Sequence, residues 1–241
     1  MKGVVLAGGT GKRLQPLTKT VNKHLLPIYD HPMIHFPIET LIKSNISDII
    51  IVTDKRKVAD FMSYLGSGEE FGVNFTYALQ DSASGIADAL RRTKSFCQDD
   101  RMVVILGDNI FQGDYHFNFN DYFNSQAKIF LKKVSNPQRF GVAVLDNQNR
   151  LVNLVEKPTN KISNYAVTGL YEYDSSVFDI IDSLSPSDRH ELEITDVNKI
   201  YLQRNKLSYE VYKGEWIDAG TIESLYKAQV LRRNFITKQK K

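Results

Sequence analysis

The sequence predicts an α/β fold with a mixed, mostly parallel central sheet flanked by helices. Apolar strand-like runs alternate with helix-like stretches through the first half, as in right-handed βαβ units. Those runs are short and nearly all apolar, as in strands covered on both faces. The composition, 42% hydrophobic and 24% charged over 241 residues, is that of an ordinary globular chain. That length allows one large α/β domain or two small ones. No repeat, low-complexity segment or long linker divides it, so a single domain over 1–241 is expected.

The chain opens with the strand-like run Val4-Val5-Leu6, which ends in Ala7-Gly8-Gly9-Thr10-Gly11. Three glycines in four residues make a turn without side-chain bulk, so backbone N–H groups can come close to a ligand. Lys12 and Arg13 follow at once, and Lys23 comes ten residues after Arg13. Bare amides beside fixed positive charges suit a chain of phosphates. The stretch is not a P-loop, because Leu6 stands where the first glycine is needed and Arg13 replaces the hydroxyl residue. It is not a dinucleotide fingerprint either, because Leu14 takes the place of the third glycine. A turn of purely local origin explains the glycines alone equally well, and Arg13 and Lys23 favour the phosphate reading.

Helical spacing of apolar residues marks 34–44 after Pro32, and DIIIV at 48–52 reads as the second strand. A helix at 57–65, a strand at 73–79, a helix at 86–96 and the fully apolar strand MVVIL at 102–106 follow. The second half is less regular. Short strands, some antiparallel, are expected at 129–131, 142–144, 151–155 and 166–173, with helices at 177–184 and 194–203. A strand at 207–212 and a closing helix at 221–233 complete the chain.

The net charge of +3 is too small to argue for nucleic acid, and the Lys238-Gln239-Lys240-Lys241 tail reads as a solvated terminus. A single cysteine, Cys97, excludes an internal disulfide and suits a reducing, cytoplasmic compartment. No targeting segment precedes the first strand, and no run of about 18 apolar residues suggests a membrane span. His24, His31, His35, His116 and His190 show no zinc spacing.

In an open α/β sheet, ligands bind beyond the carboxyl ends of the strands, and several of those ends are polar here. Gln80 offers a donor and an acceptor to a pyrimidine edge, with Gly85 opening the next helix; a surface glutamine and a loop glycine are the plainer reading. Asp108 follows the apolar fourth strand and could hold a hard cation, or form an Asp-Asn turn or helix cap. Asp218 could cap the closing helix or supply a second carboxylate to the same cation, and sequence spacing does not decide between them. Glu156-Lys157 before Pro158 could bind a sugar hydroxyl and a sugar phosphate, or be an exposed charged turn. The acidic residues between Arg189 and Asp196 could simply favour a helix N-terminus.

LAGGTGKRLQPLT followed by NKHLLP resembles the opening signature of the sugar-1-phosphate nucleotidylyltransferases, and within them the thymidylyltransferases that act on glucose 1-phosphate. Six later segments are similar in the same order: LGDNIF at 106, RFGV at 139, EKP at 156, NYAVTGLY at 164, ELEITD at 191 and WIDAG at 216. Together they span Lys2 to about Asn234. The resemblance implies a Rossmann-like nucleotide-diphospho-sugar transferase fold, with a sugar-binding elaboration roughly at 112–215. It implies that glucose 1-phosphate attacks the α-phosphorus of dTTP, giving dTDP-glucose and pyrophosphate, on the way to deoxysugars such as dTDP-rhamnose. It further implies that Arg13 and Lys23 bind the triphosphate and steady the leaving group, that Asp108 and Asp218 hold Mg²⁺, and that Asp108 also meets the nucleotide. Gln80 and Gly85 would read the thymine, Leu6 and Gly8 would line base and ribose, and Gly11 would belong to the phosphate turn. Gly141, Glu156 and Val167 would meet the sugar, with Lys157 and Arg189 on its phosphate. A homo-oligomer is expected by the same analogy.

This chain departs from the pattern in three places. Lys12 stands where the family has Ser or Thr, His190 replaces a glycine beside Arg189, and the chain stops soon after Phe235, which suggests a short form without the C-terminal helical portion. Two competing readings are a uridylyltransferase or other sugar-1-phosphate specificity, and a non-catalytic nucleotide-sugar sensor. One methyl group separates thymine from uracil and is worth only about 1–3 kcal/mol, so competition of dTTP with UTP decides the first. Tight binding of dTDP-glucose without turnover would identify the second.

Overall fold

The computed structural model describes residues 1–82, 84–112 and 125–239. His116 and part of the expected sugar-side elaboration lie outside the described residues. The strands, in chain order, are β1 (Lys2–Leu6), β2 (Pro27–Ile28), β3 (His31–Pro32), β4 (Asp48–Asp54), β5 (Asn74–Gln80), β6 (Met102–Leu106), β7 (Asn109–Gln112), β8 (Ala127–Lys133), β9 (Gly141–Leu145), β10 (Leu151–Glu156), β11 (Tyr165–Tyr173), β12 (Leu207–Val211) and β13 (Glu215–Asp218). The α-helices are α1 (His35–Lys43), α2 (Val58–Leu65), α3 (Ile86–Arg91), α4 (Lys94–Cys97), α5 (Ser176–Asp182), α6 (Ile194–Gln203) and α7 (Ile222–Gln239).

The expected mixed central sheet is present. Its nine strands run β10-β9-β11-β6-β1-β4-β5, with β8 beside β11 and β12 beside β8. The strands of the first half, β6-β1-β4-β5, are parallel. Here Val4, Val5, Ile49, Ile51, Val104 and Ile105 are fully buried, because helices cover both faces. Truncating any of the larger ones to Ala would cost about 2–5 kcal/mol. β11 is antiparallel to β6 and joins the irregular half to the parallel one. β5 is an edge strand with alternating exposure, and its last residue, Gln80, turns inward.

Three elements differ from expectation. The helix expected at 86–96 is two pieces, α3 and α4. Thr93 breaks it: its N–H and its hydroxyl both donate to the Leu90 carbonyl, so the side chain competes with the helical ladder. The closing helix runs to Gln239, and Arg232 anchors it through a two-pronged pair with Asp30 at 2.9 and 3.1 Å. The third difference is β7, a strand that was not expected after Asp108. β7 pairs antiparallel with β13 in a separate two-stranded sheet, with Asp218 opposite Asn109. That pairing brings the two ends of the chain's polar inventory together beyond the mouth of β6.

Candidate active site

The cleft lies beyond the carboxyl ends of β1, β5 and β6 and has a volume of about 280 Å³. Leu6, Gly8, Arg13, Lys23, Gln80, Gly85, Asp108, Gly141, Glu156, Lys157, Val167, Arg189 and Asp218 all line it. Gly11 does not. At φ +65° it forms the turn itself, where a Cβ would stand 2.9 Å from the Thr18 methyl. Lys12 is exposed outside the cleft, so the departure at that position faces solvent.

After the turn, a 3₁₀ helix over Lys12–Leu14 buries Leu14 completely and leaves Arg13 towards the cleft. Asn22 caps the 3₁₀ helix Lys23–Leu25, accepting at 2.9 Å from the His24 N–H. This cap fixes Lys23, whose Nζ donates to Asp108 Oδ2 at 2.7 Å. Burial and the adjacent Lys23 charge push the His24 imidazole down to about 3, so it packs as a neutral ring. Gly107 makes room for it: a Cβ there would stand 2.8 Å from His24 Cδ2.

Asn109, which sequence reading treated only as a turn residue, holds this end of the cleft. Its Nδ2 donates to Asp108 Oδ1 at 3.1 Å. Its Oδ1 accepts from the Gly169 N–H at 2.9 Å and from Trp216 Nε1 at 2.7 Å, tying β11 and β13 to the aspartate. The Asp108 carbonyl accepts from the Ala219 N–H at 2.8 Å, which closes the turn after β13 onto β6.

Asp108, Asp218 and Arg13 converge. A Cβ placed on Gly220 would have Asp218 Oδ1 at 2.7 Å, Arg13 Nη2 at 3.0 Å and Asp108 Oδ2 at 3.5 Å. The two carboxylates are unequal. Burial alone would push the Asp108 carboxyl up, but the charge of Lys23 and the hydrogen bonds from Lys23 and Asn109 hold it well below the ordinary range. Asp218 is pushed up by burial and by the negative charge of Asp108, against a hydrogen bond from the Gly220 N–H and weaker help from Lys23 and Arg13. Asp218 thus carries charge that the protein's own cations do not fully offset. Two carboxylates opening on a cleft, one of them under-compensated, fit a hard divalent cation whose remaining positions phosphates and water would fill. Asp108 and Asp218 are the residues that would hold it; among the described residues no group of three or more acidic, His or Cys side chains is placed to hold a metal ion.

At the other end, Glu156 closes β10. Its Oε2 accepts from Thr195 Oγ1 at 2.6 Å, and its Oε1 lies 3.2 Å from Lys157 Nζ and 3.6 Å from Arg189. Gly141 leaves that pair free, since a Cβ would stand 3.0 Å from Thr195 Oγ1. Arg189 is held chiefly by Glu193, at 2.7 Å, and by Glu191, at 3.0 Å. His190 sits at φ +58°, in the left-handed region that a glycine adopts freely. On the base side, Gln80 is buried and its Nε2 donates to Asp88 Oδ2 at 3.0 Å and to the Gly85 carbonyl at 3.3 Å. Gly85, at φ +105°, has no room for a Cβ, which would collide with the Leu192 carbonyl.

A sequence profile for nucleotidyl transferases matches residues 2–234. The chain belongs to that family. This nucleotidyl transferase is 42% identical over 233 residues to a glucose-1-phosphate thymidylyltransferase of Neisseria meningitidis, an alignment covering 95% of this chain and 81% of the relative. It is 41% identical over 232 residues to the glucose-1-phosphate thymidylyltransferase of Mycobacterium tuberculosis, with 95% and 81% covered. A Bacillus anthracis protein assigned as a glucose-1-phosphate thymidylyltransferase, crystallised with a sucrose, superimposes with a TM-score of 0.91 at 51% identity, covering 97% of this chain and 95% of that one. A UDP-glucose pyrophosphorylase with UDP-glucose shares the fold, with a TM-score of 0.84 at 23% identity over 97% and 98% of the chains.

Besides Asn109, the nucleotidyl transferase cleft is lined by residues that sequence reading gave no role: Phe140, Tyr171, Thr195 and Trp216. Thr195 and Trp216 stood in segments that carried the resemblance, but their types alone mark no chemistry. No helix among the described residues is long and apolar enough to cross a membrane.

Proposed function

We propose that this cleft transfers a thymidylyl group from dTTP to α-D-glucose 1-phosphate, giving dTDP-α-D-glucose and pyrophosphate, with Mg²⁺ as the cation. One observation carries the reading: β13 delivers Asp218 beside Asp108 and Arg13, at the mouth of β6. Charge of both signs then faces a single cleft whose far end carries Lys157 and Arg189.

The nucleophile is a phosphate oxygen of glucose 1-phosphate, already anionic, so no general base is needed. It forms a new bond to the α-phosphorus of dTTP as the bond from that phosphorus to the α,β-bridging oxygen breaks, and the electron pair leaves on pyrophosphate. Positioning two polyanions and stabilising charge on the leaving oxygens is then most of the catalysis. Arg13 and Lys23 neutralise the triphosphate and the departing pyrophosphate, while Lys157 and Arg189 bring up the sugar phosphate. Glu156, oriented by Thr195, accepts from sugar hydroxyls. Asp108 and Asp218 would hold Mg²⁺, which supplies charge neutralisation at the phosphates when bound. Gln80 and Gly85 read the base, and Leu6 and Gly8 line it.

The 1–241 chain acts as one nucleotidyltransferase domain in the cytoplasm, as a homo-oligomer, and its product supplies dTDP-sugars such as dTDP-rhamnose. Incubating the protein with Mg²⁺, a mixture of nucleoside triphosphates and several sugar 1-phosphates, with product masses recorded, tests the reading. The expected product is dTDP-glucose with stoichiometric pyrophosphate; binding without any pyrophosphate release would overturn it.

A further inference from the structure

We propose that Asp88 is a positioning residue that fixes which hydrogen-bonding face Gln80 shows to the base, and thereby selects thymine or uracil over cytosine. The inference rests on the reading of Gln80 given under the proposed function. A glutamine amide has a donor end and an acceptor end of nearly the same shape, so its choice of base depends on what holds its back.

Here the back is held firmly. Asp88 is only 2% exposed and stands on α3 behind the end of β5. Its Oδ1 accepts from Arg91 at 2.6 Å, with Arg92 at 3.6 Å, and its Oδ2 accepts from Gln80 Nε2 at 3.0 Å. A carboxylate beside two guanidinium groups only accepts, so Nε2 has to face it. The Gly85 carbonyl, a second acceptor at 3.3 Å, takes the other hydrogen of that amide nitrogen. Gln80 Oε1 is therefore turned the opposite way. It lies 2.8 Å from where a Cβ on Gly8 would stand, against the cleft-lining turn.

An acceptor presented there matches the ring N3–H of thymine and uracil. Cytosine has a bare N3, whose lone pair would face the lone pairs of Oε1. A site built to bond a specific N–H rejects an analogue lacking it far more strongly than it rejects a missing methyl group. Asp88 thus acts through Gln80 and touches no substrate.

The test is Asp88→Asn. Arg91 still demands an oxygen, so the new amide turns its NH₂ to Gln80 Nε2; the Gly85 carbonyl alone then holds that nitrogen against the clash, and Gln80 loses its fixed preference for showing Oε1 to the base. The ratio of kcat/KM for dTTP over dCTP is expected to fall at least about tenfold, through the KM for nucleotide, with the KM for glucose 1-phosphate unchanged. In a Gln80→Ala background, Asp88→Asn should then change the ratio no further. A ratio unaltered by Asp88→Asn but collapsed by Gln80→Ala would overturn the role of Asp88 and leave the base reading standing. A ratio unaltered by Gln80→Ala would mean that the base reading itself fails, and this inference with it. If Asp88→Asn does not give a cooperative melt, Asp88→Ala, which leaves Gln80 Nε2 the Gly85 carbonyl alone, decides the matter. A several-fold fall in the dTTP over dCTP ratio supports the proposal, and an unaltered ratio overturns it.

Discussion

At the Arg13 end of the cleft, Lys23 and Asp108 are buried against each other, with side chains 15% and 10% exposed, while Asp218 is left facing a like charge. At the Arg189 end, the side chain is 42% exposed and its guanidinium is already surrounded by Glu156, Glu191 and Glu193. The first end is buried and leaves Asp218 under-compensated; the second is exposed and its cation is already paired. The difference teaches how one cleft can receive two polyanions. The buried end is organised in advance for a cation and the phosphates that come with it. At the exposed end an arriving phosphate has to displace carboxylates from Arg189, an exchange between groups that water already screens.

Asp108→Asn removes the partner of Lys23 and the better-ionised carboxylate, so it is the most severe change expected. Pyrophosphate release should fall by about 10²–10³-fold with the circular-dichroism spectrum unchanged. A near-normal rate at limiting Mg²⁺ would break the comparison at its stronger side.

Asp218→Asn should lower the rate by about 10²-fold and also reveal the unpaired charge. The folded-state pKa of Asp218 is raised, so the folded protein holds that proton more tightly than the unfolded chain does. Its contribution to stability is present below the unfolded carboxylate value and is lost as pH rises through the raised one. The neutral amide should therefore melt a few degrees higher than the parent at pH 7 without metal, and the gap should close at low pH. A lower melting temperature for Asp218→Asn in metal-free buffer would contradict the charge imbalance.

At the exposed end the effects should be smaller. Lys157→Ala is expected to raise the KM for glucose 1-phosphate about tenfold with little change in kcat. Added salt should weaken sugar-phosphate binding in the parent more than in the variant. An unchanged KM would place the sugar phosphate elsewhere. Gly8→Ala sharpens the base side: its Cβ would crowd Gln80 Oε1, so a several-fold rise in the KM for dTTP is expected, with glucose 1-phosphate unaffected.

The parallel half of the fold was legible because its strands are apolar on both faces and its helices follow at regular spacing. The glycine turn and Arg13 were legible for a similar reason, since bulk-free backbone beside a cation has few other uses. The meeting of Asp108 with Asp218 was legible only through the family resemblance, not in the spacing. They are joined by β7 and β13, four residues each, too short to show a period, and their pairing is non-local. Asn109 and Asp88 escaped notice because their roles lie in which neighbour each side chain faces, which no local pattern encodes. Thr93 shows the reverse case: the helical spacing at 86–96 was real, and one hydroxyl bonding back to Leu90 divided it.

The most direct test of the two-aspartate cation site is a titration of Mn²⁺, followed by electron paramagnetic resonance, into the protein saturated with a non-reactive dTTP analogue. The account predicts one tight site that Asp218→Asn weakens at least about tenfold while the far-ultraviolet spectrum stays the same. Equal Mn²⁺ affinity in the parent and in Asp218→Asn would contradict it.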